Sequence, residues 1–256
     1  MPDSVPDTRS EIDVTMLIRE HFEIKETAVT IISQPDFVKI AKDAIFEARE
    51  IIEHKITEDP FFKTTYDPYH PRNDDHELIR RMCKASVLAD VGPMATVAGA
   101  VAVFAVECMK EQGCKHAVID NGGDIALLTD RNVTIGLYAG NNGLKDIALK
   151  IPKTERIKGV CSSSGKIGPS VSFGQSDIST IFSDDVILAD AAATRLGNLI
   201  KDHDIAEALE IIGSIDGIDG CLAFHDGKLA MFGNIPELVQ QKVQESRITG
   251  IILSDL

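Results

Sequence analysis

The chain has no tryptophan and only three tyrosines among its 256 residues. Aromatic platforms for stacking unpaired bases are therefore scarce. It has no C-x-x-C pair, and its five cysteines (Cys83, Cys108, Cys114, Cys161, Cys221) cannot all pair within one chain. Reduced, mostly buried thiols are expected rather than a redox or zinc centre. Positive charge is also short: 26 Lys+Arg stand against 40 Asp+Glu, a formal net charge of -14. Such a chain repels phosphate backbones at long range, and no local basic patch offsets this, so no nucleic-acid partner is expected. The N-terminus, Met1-Pro-Asp-Ser4, has no cationic lead into an apolar stretch, nothing there resembles a secretory signal, and a cytoplasmic protein is expected. The longest small-apolar run, residues 93–106, is shorter than the ~18 residues of a spanning helix, so no membrane partner is expected either.

What the chain does have is 44% apolar residues, enough for a sizeable core in one large domain or two small ones. Residues 1–10 are rich in Asp, Ser and Pro and read as a poorly ordered start. Phe22, Ile24, Thr27, Val29 and Ile31 fit two strands around Lys25-Glu26, or one bent strand. Phe37, Ile40, Ala41, Ala44, Ile45, Ala48, Ile51, Ile52 and Ile56 recur at helical spacing, with Asp36 as the expected cap. Residues 60–75 hold three prolines and several aromatics, which predicts a long ordered loop pinned to the core by its rings. Helices follow over Leu78, Ile79, Met82 and Val87 and from Pro93 to about Gln112, where Gly113 is a natural stop.

The second half turns strand-rich. Short apolar runs at 117–120, 125–128, 133–138, 146–150, 159–163 and 178–182 are separated by Gly, Asn and Asp. Helices are expected at about 186–200 and 205–212, then a hairpin through His225-Asp226-Gly227, then a last helix after Pro236. No repeat or linker divides the chain, so residues 11–256 are expected to form a single α+β domain, a mainly antiparallel sheet with packed helices.

Four segments could carry chemistry. Ala89-Asp-Val-Gly-Pro-Met-Ala95 leads into a small-residue helix whose unpaired N–H groups offer an anion seat, though on this segment alone a tightly packed core helix is the better explanation. Asp120-Asn-Gly-Gly-Asp124 joins two strands, and a tight turn accounts for its glycines. Gly159-Val-Cys-Ser-Ser-Ser-Gly165 runs a strand into a hydroxyl-rich loop suited to oxyanions. It is no P-loop, since Gly165-Lys166 is followed by Ile, and no G-x-S-x-G elbow occurs. In Asp184-Asp-Val-Ile-Leu-Ala-Asp-Ala-Ala-Ala-Thr194, Asp190 and Thr194 lie one helical turn apart on one face, with Asn198 one turn further. A carboxylate and a hydroxyl among alanines suit a hard cation that keeps water or phosphate oxygens, magnesium above all, unless both simply satisfy local backbone.

Together and in order, these segments resemble the ApbE superfamily of flavin transferases, and most of all its ApbE-like branch. The matching stretch runs over residues 90–198: Asp90-Val-Gly-Pro-Met-Ala95, Asn121-Gly-Gly-Asp124, Gly159-Val-Cys-Ser-Ser-Ser-Gly165 and Ala189-Asp-Ala-Ala-Ala-Thr194. Each motif is weak, and the ordered set is fairly specific. The resemblance implies an ApbE-like fold, FAD as ligand, and magnesium-assisted transfer of its FMN half to a threonine of a target protein, or hydrolysis of the dinucleotide. By motif position it implies Asp190, Thr194 and the Ala95 main-chain carbonyl as magnesium ligands. It sets Asn121, Gly122, Gly123 and the loop Ser162, Ser163, Ser164 along the nucleotide, with Asp124 beside them. An acidic chain needs such a metal bridge to hold a pyrophosphate.

The departures point another way. Where transferases carry a lysine this chain has Thr96, and where they carry a His-x-x-Asp-Pro-Arg-Thr-Gly type segment it has Gly168-Pro-Ser-Val-Ser-Phe-Gly-Gln-Ser-Asp177, with no histidine or arginine. General-base help is commonly worth ~100- to 10,000-fold, so its loss argues against efficient flavinylation. Asp177 or Asp124 could supply a carboxylate, and nothing in the sequence selects either; no catalytic residue is assigned. Two readings follow: a magnesium-dependent enzyme acting on a flavin or related nucleotide pyrophosphate, or a binding or assembly module that has lost the chemistry. The apolar content and the 60–75 arm are compatible with a homo-oligomer on either reading.

Overall fold

Alternating apolar residues at the start fold into a hairpin in which β1 (Ile18–Ile24) pairs antiparallel with β2 (Thr27–Ser33), two strands rather than one bent strand. The computed structural model describes residues 16–24, 27–138, 146–164, 176–200 and 204–242. The expected start at 1–10 and most of segment 168–177 lie outside the described residues.

Helix α1 (Pro35–Glu58) buries Val38, Ala41, Ala44, Ile45, Ala48 and Ile52 along one stripe. Its cap is Gln34 and not the expected Asp36, because Pro35 sets the first helical position and leaves Asp36 inside the first turn. The 60–75 segment contains one helical turn, α2 (Phe61–Thr64). Phe62 is fully buried, and Lys55 Nζ lies 5.9 Å from its ring and 5.3 Å from that of Tyr69 while bonding the two Asp75 carboxylate oxygens at 2.7 and 2.9 Å. The rings of Phe61 and Tyr66 instead face solvent, 62% and 64% exposed, so only part of the aromatic content pins the loop.

After α3 (Glu77–Ala89), a 3-10 turn (Pro93–Thr96) runs into α4 (Val97–Glu111). The helical stretch Pro93–Glu111 has 19 residues with mean hydropathy 1.4, long and apolar enough to cross a membrane, which corrects the shorter run read from residues 93–106. The difference arises because Cys108 and Met109 continue the apolar pattern past Val106. In the fold this helix packs against α1, α5 (Val186–Leu199), β3 (Ala117–Asn121) and β4 (Asp124–Thr129).

The remaining elements are β5 (Val133–Gly136), β6 (Ile147–Ile151), β7 (Thr154–Ser163), β8 (Ile178–Ser183), α6 (Ile205–Gly213), β9 (Ile218–His225), β10 (Lys228–Gly233) and β11 (Glu237–Gln240). Residues 237–240 form a strand where a helix was expected, because Leu238 and Val239 pair with Leu149 and Ala148 on β6, whose edge accepts them. The main sheet is antiparallel in the order β1-β2-β3-β4-β7-β8-β9-β10, and a second sheet runs β11-β6-β5.

Strand alternation splits the core in two. Val29, Ile31, Ile119, Ala126, Cys161, Ile181, Cys221 and Ala223 face the helices, whereas Leu127, Val160, Phe182, Leu222 and Phe224 face the small sheet. Antiparallel pairing brings the C-terminal ends of β3, β7 and β9 and the N-terminal ends of β4 and β8 to one end of the main sheet. Asn121, Asp124, Ser163 and His225 therefore share that end.

Candidate functional site

The site is assembled by α5 lying directly on β7. A Cβ on Gly159 would fall 2.9 Å from the Val186 Cα, so only glycine allows the approach. Asp185 starts the helix by accepting the Ile187 and Leu188 N–H groups at 3.1 and 3.2 Å. One turn on, Asp190 is 6% exposed, and its Oδ2 accepts the Gly99 N–H at 2.7 Å.

That bond crosses between helices. α4 has no cap of its own, since the Thr96 hydroxyl is given to the Pro93 carbonyl at 2.7 Å. The orphan N–H groups of its first turn are met by Asp190, to which both Gly99 and Ala98 donate. A Cβ on Gly99 would lie 2.8 Å from Asp190 Cβ, so the two helices touch where the carboxylate sits. Burial pushes the Asp190 carboxyl up to about 7, against the pull of the two N–H donors. Asn121, 7% exposed, donates from Nδ2 to the Ala98 carbonyl at 3.1 Å and ties the end of β3 to the same turn.

Asp124 and Cys161 are register partners on the helix-facing side of the sheet, beneath Asp190. Asp124 Oδ1 is sealed from solvent and has no hydrogen-bond partner. Burial, then Asp190, then Asp120 hold the Asp124 carboxyl well above the usual carboxylate range, while the Cys161 thiol and the Ser162 N–H pull it down. The Cys161 thiol is pushed up by burial and by both carboxylates. It reaches the Val186 carbonyl at 3.6 Å.

Gly122 and Gly123, at φ 69° and 104°, make the two-residue turn between β3 and β4. Asp120 accepts the Gly123 N–H at 3.0 Å, and Ser162 donates its N–H to the Gly123 carbonyl at 3.1 Å, so the turn and the end of β7 are one unit. The Ser162 hydroxyl bonds that of Thr180 at 2.9 Å, away from the helices, whereas Ser163 points toward Gly197 of α5. Ser164 ends the described part of this loop. Thr194 and Ala95 are both half-buried, one on α5 and the other in the 3-10 turn before α4. Asp177 accepts the Asp226 N–H at 3.2 Å at the turn between β9 and β10.

Among the described residues no three His, Cys, Asp or Glu side chains gather to hold a metal ion. A donor set of carboxylate, hydroxyl and carbonyl does not need three such groups. Among the described residues, sealed side-chain polar atoms without partners are Asp124 Oδ1, Asn198 Oδ1 and His225 Nδ1. His225 was not singled out from sequence; its alternation with Cys221 and Ala223 puts it on the helix-facing side, a signal the hairpin pattern already held.

A family profile described as AbpE bacteria matches residues 12–211. A UPF0280 protein of Methanocella arvoryzae is 43% identical over 229 residues, covering 89% of this chain and 94% of its own. Another from Methanosarcina acetivorans is 43% identical over 235 residues, 91% of this chain and 93% of its own. Among solved structures, the ApbE protein of Thermotoga maritima matches with TM-score 0.57 at 12% identity, covering 85% of this chain and 97% of that one. The flavin transferase ApbE of Vibrio cholerae matches with TM-score 0.54 at 10% identity over 85% of this chain and 96% of that one. These likenesses show an α+β, ApbE-like fold.

Proposed function

This chain belongs to the AbpE bacteria family, and from that premise we propose that it binds FAD or a related nucleotide pyrophosphate together with Mg2+ and cleaves the pyrophosphate, by hydrolysis or by transfer of the FMN half. The observation that supports this most is the Asp190 carboxylate beside the orphaned Asp124 Oδ1 at the N-terminal end of α4. Two buried carboxylates in one place call for a cation, and the oxygen-only donors around them suit a hard one.

In this reading Asp190, Thr194 and the Ala95 carbonyl hold Mg2+. Asn121, Gly122, Gly123 and Asp124 with Ser163 and Ser164 lie along the nucleotide, while Ser162, expected beside them, turns its hydroxyl to Thr180 and serves through its N–H bond to Gly123. When bound, Mg2+ neutralises charge growing on the leaving phosphate. The chain's own residues do the rest. Asp190 fixes α4 against α5 through Gly99, Asn121 holds the glycine turn to α4, and the turn locks onto β7 through Ser162. Hydrolysis consumes FAD and water and gives FMN and AMP; transfer replaces water with a threonine hydroxyl. In this reading the protein works in the cytoplasm; its five cysteines are free thiols, and the exposed Phe61 and Tyr66 would offer a surface for self-association.

One observation favours the second reading, a binding or assembly module without chemistry. Thr96 is 0% exposed and its hydroxyl is spent on Pro93, so the position where transferases carry lysine presents nothing to a phosphate. Incubation of the pure protein with FAD and Mg2+, with chromatography for FMN and AMP, separates the two. Release abolished by chelator supports the enzyme, binding without release supports the module, and absence of both contradicts the nucleotide reading altogether.

A further inference from the structure

Helix α5 is sealed from Val186 to Ala193 and reaches solvent only at Thr194, Arg195 and Asn198. Arg195 Nη2 lies 2.8 Å from Asp90 Oδ2. Asp90 ends α3 in the left-handed region, at φ 53° and ψ 53°, and opens the turn Asp90-Val-Gly-Pro-Met-Ala95. α5 thus grips that turn at both ends: Asp190 accepts the Gly99 N–H just beyond it at 2.7 Å, and Arg195 pairs with Asp90 at its start. The two grips differ in kind. The first is buried, whereas the second is open to solvent, with side chains 32% and 64% exposed. An ion pair so exposed is weak, and an anion arriving from solvent can replace its carboxylate without any sealed cavity having to open.

Charge singles this arginine out. In the segments that meet around Asp190 and Asp124, residues 89–100, 117–129, 159–164 and 186–199, Arg195 is the one Lys or Arg, against Asp90, Asp120, Asp124 and Asp190. Thr96 is sealed with its hydroxyl given to Pro93, so that position supplies no cation. A divalent ion shared with a carboxylate does not neutralise a pyrophosphate by itself. A guanidinium beside it can, gripping two phosphate oxygens at once through its planar fork. We propose that Arg195 is the phosphate-binding cation of the site and that Asp90 is its placeholder, a carboxylate that holds the guanidinium until phosphate oxygens of the ligand displace it. This role rests on the nucleotide reading above and adds to it the side chain that meets phosphate directly.

The test is calorimetric titration of inorganic pyrophosphate and of FAD, each with Mg2+ and again with a chelator, into the wild type, Arg195→Ala, Arg195→Lys and Asp90→Asn. Asparagine tolerates the left-handed backbone at position 90. Arg195→Ala should bind both probes at least about tenfold more weakly. Arg195→Lys, which keeps the charge and loses the fork, should recover part of that loss. Asp90→Asn should instead bind both about two- to fivefold more tightly, because the competing carboxylate is gone. This gain should vanish when Arg195→Ala is added; a gain that survives reflects bulk charge alone and overturns the placeholder. A pair that only fastens α5 to α3 predicts the same sign for both partners, so equal weakening in Asp90→Asn and Arg195→Ala overturns the proposal, as does wild-type affinity in Arg195→Ala. If FAD binding needs Mg2+ and is the same in every variant, the nucleotide reading stands and the role of Arg195 falls. If pyrophosphate binds through Arg195 while FAD does not bind, the role of Arg195 stands and the nucleotide reading falls. A wild type that binds neither probe contradicts both.

Discussion

Asp190 of α5 caps α4 by accepting the Gly99 N–H at 2.7 Å, a contact between residues 91 positions apart. One carboxylate thus joins two helices at the point where Asp124 and Cys161 rise from the sheet beneath them.

Gly99→Ala should be disproportionately harmful for so small a change. The added methyl would lie 2.8 Å from Asp190 Cβ and 2.9 Å from the Val186 carbonyl oxygen. Urea denaturation is expected to show a loss of about 1–3 kcal/mol, typical of overpacking. Ala98→Ser, in the same turn, provides the control and should cost less than half as much.

Lys55 and Asp75 form a buried ion pair, 2% and 6% exposed at their side chains. Its hydrogen bonds to Asp75 and Tyr69 outweigh burial and raise the Lys55 pKa. Lys55→Met leaves the Asp75 carboxylate buried alone and should destabilise the fold by about 3–5 kcal/mol, whereas Lys55→Met with Asp75→Leu should recover most of that. Denaturant midpoints with limited proteolysis of the 60–75 arm measure both.

His116 is 2% exposed and bonds Thr129 Oγ1 at 2.9 Å. Burial, helped by Arg131 and opposed by Asp130, lowers its pKa below the ordinary 6.5. The neutral ring is therefore favoured in the fold, and its stabilisation is complete above the unfolded pKa and lost as pH falls through the folded one. Stability should decline on acidification from about pH 6.5, and His116→Gln should flatten that part of the profile.

Cys83 and Cys221 are pushed up to about 12 by burial, and the other thiols are raised as well. Native protein at pH 8 should resist alkylation, with half-buried Cys108 reacting first. Peptide mass spectrometry after a timed iodoacetamide pulse reports the order.

Local periodicity was enough to read α1, α5 and the glycine turn, because each signals within a few residues. The row Asp190, Thr194, Asn198 was visible for the same reason. What was hidden depends on partners distant in sequence. Nothing near Asp190 announces that α4 needs a cap, since the reason lies at Thr96, whose hydroxyl is spent on Pro93. The partnership of Asp124 with Cys161 comes from strand register. β11 forms because β6 offers an edge. The outward turn of the Ser162 hydroxyl follows from the alternation of Val160, Cys161 and Ser162 across β7.

Calorimetric titration of FAD with Mg2+, and again with a chelator, into the wild type, Asp190→Asn and Thr194→Val measures whether an oxygen pair on α5 holds an ion that grips a dinucleotide. Thr194→Val keeps the α4 cap intact and so separates metal loss from helix loss. The account predicts Mg2+-dependent binding in the wild type that is lost in both variants. FAD affinity that is the same with and without Mg2+, and the same in all three proteins, would contradict it.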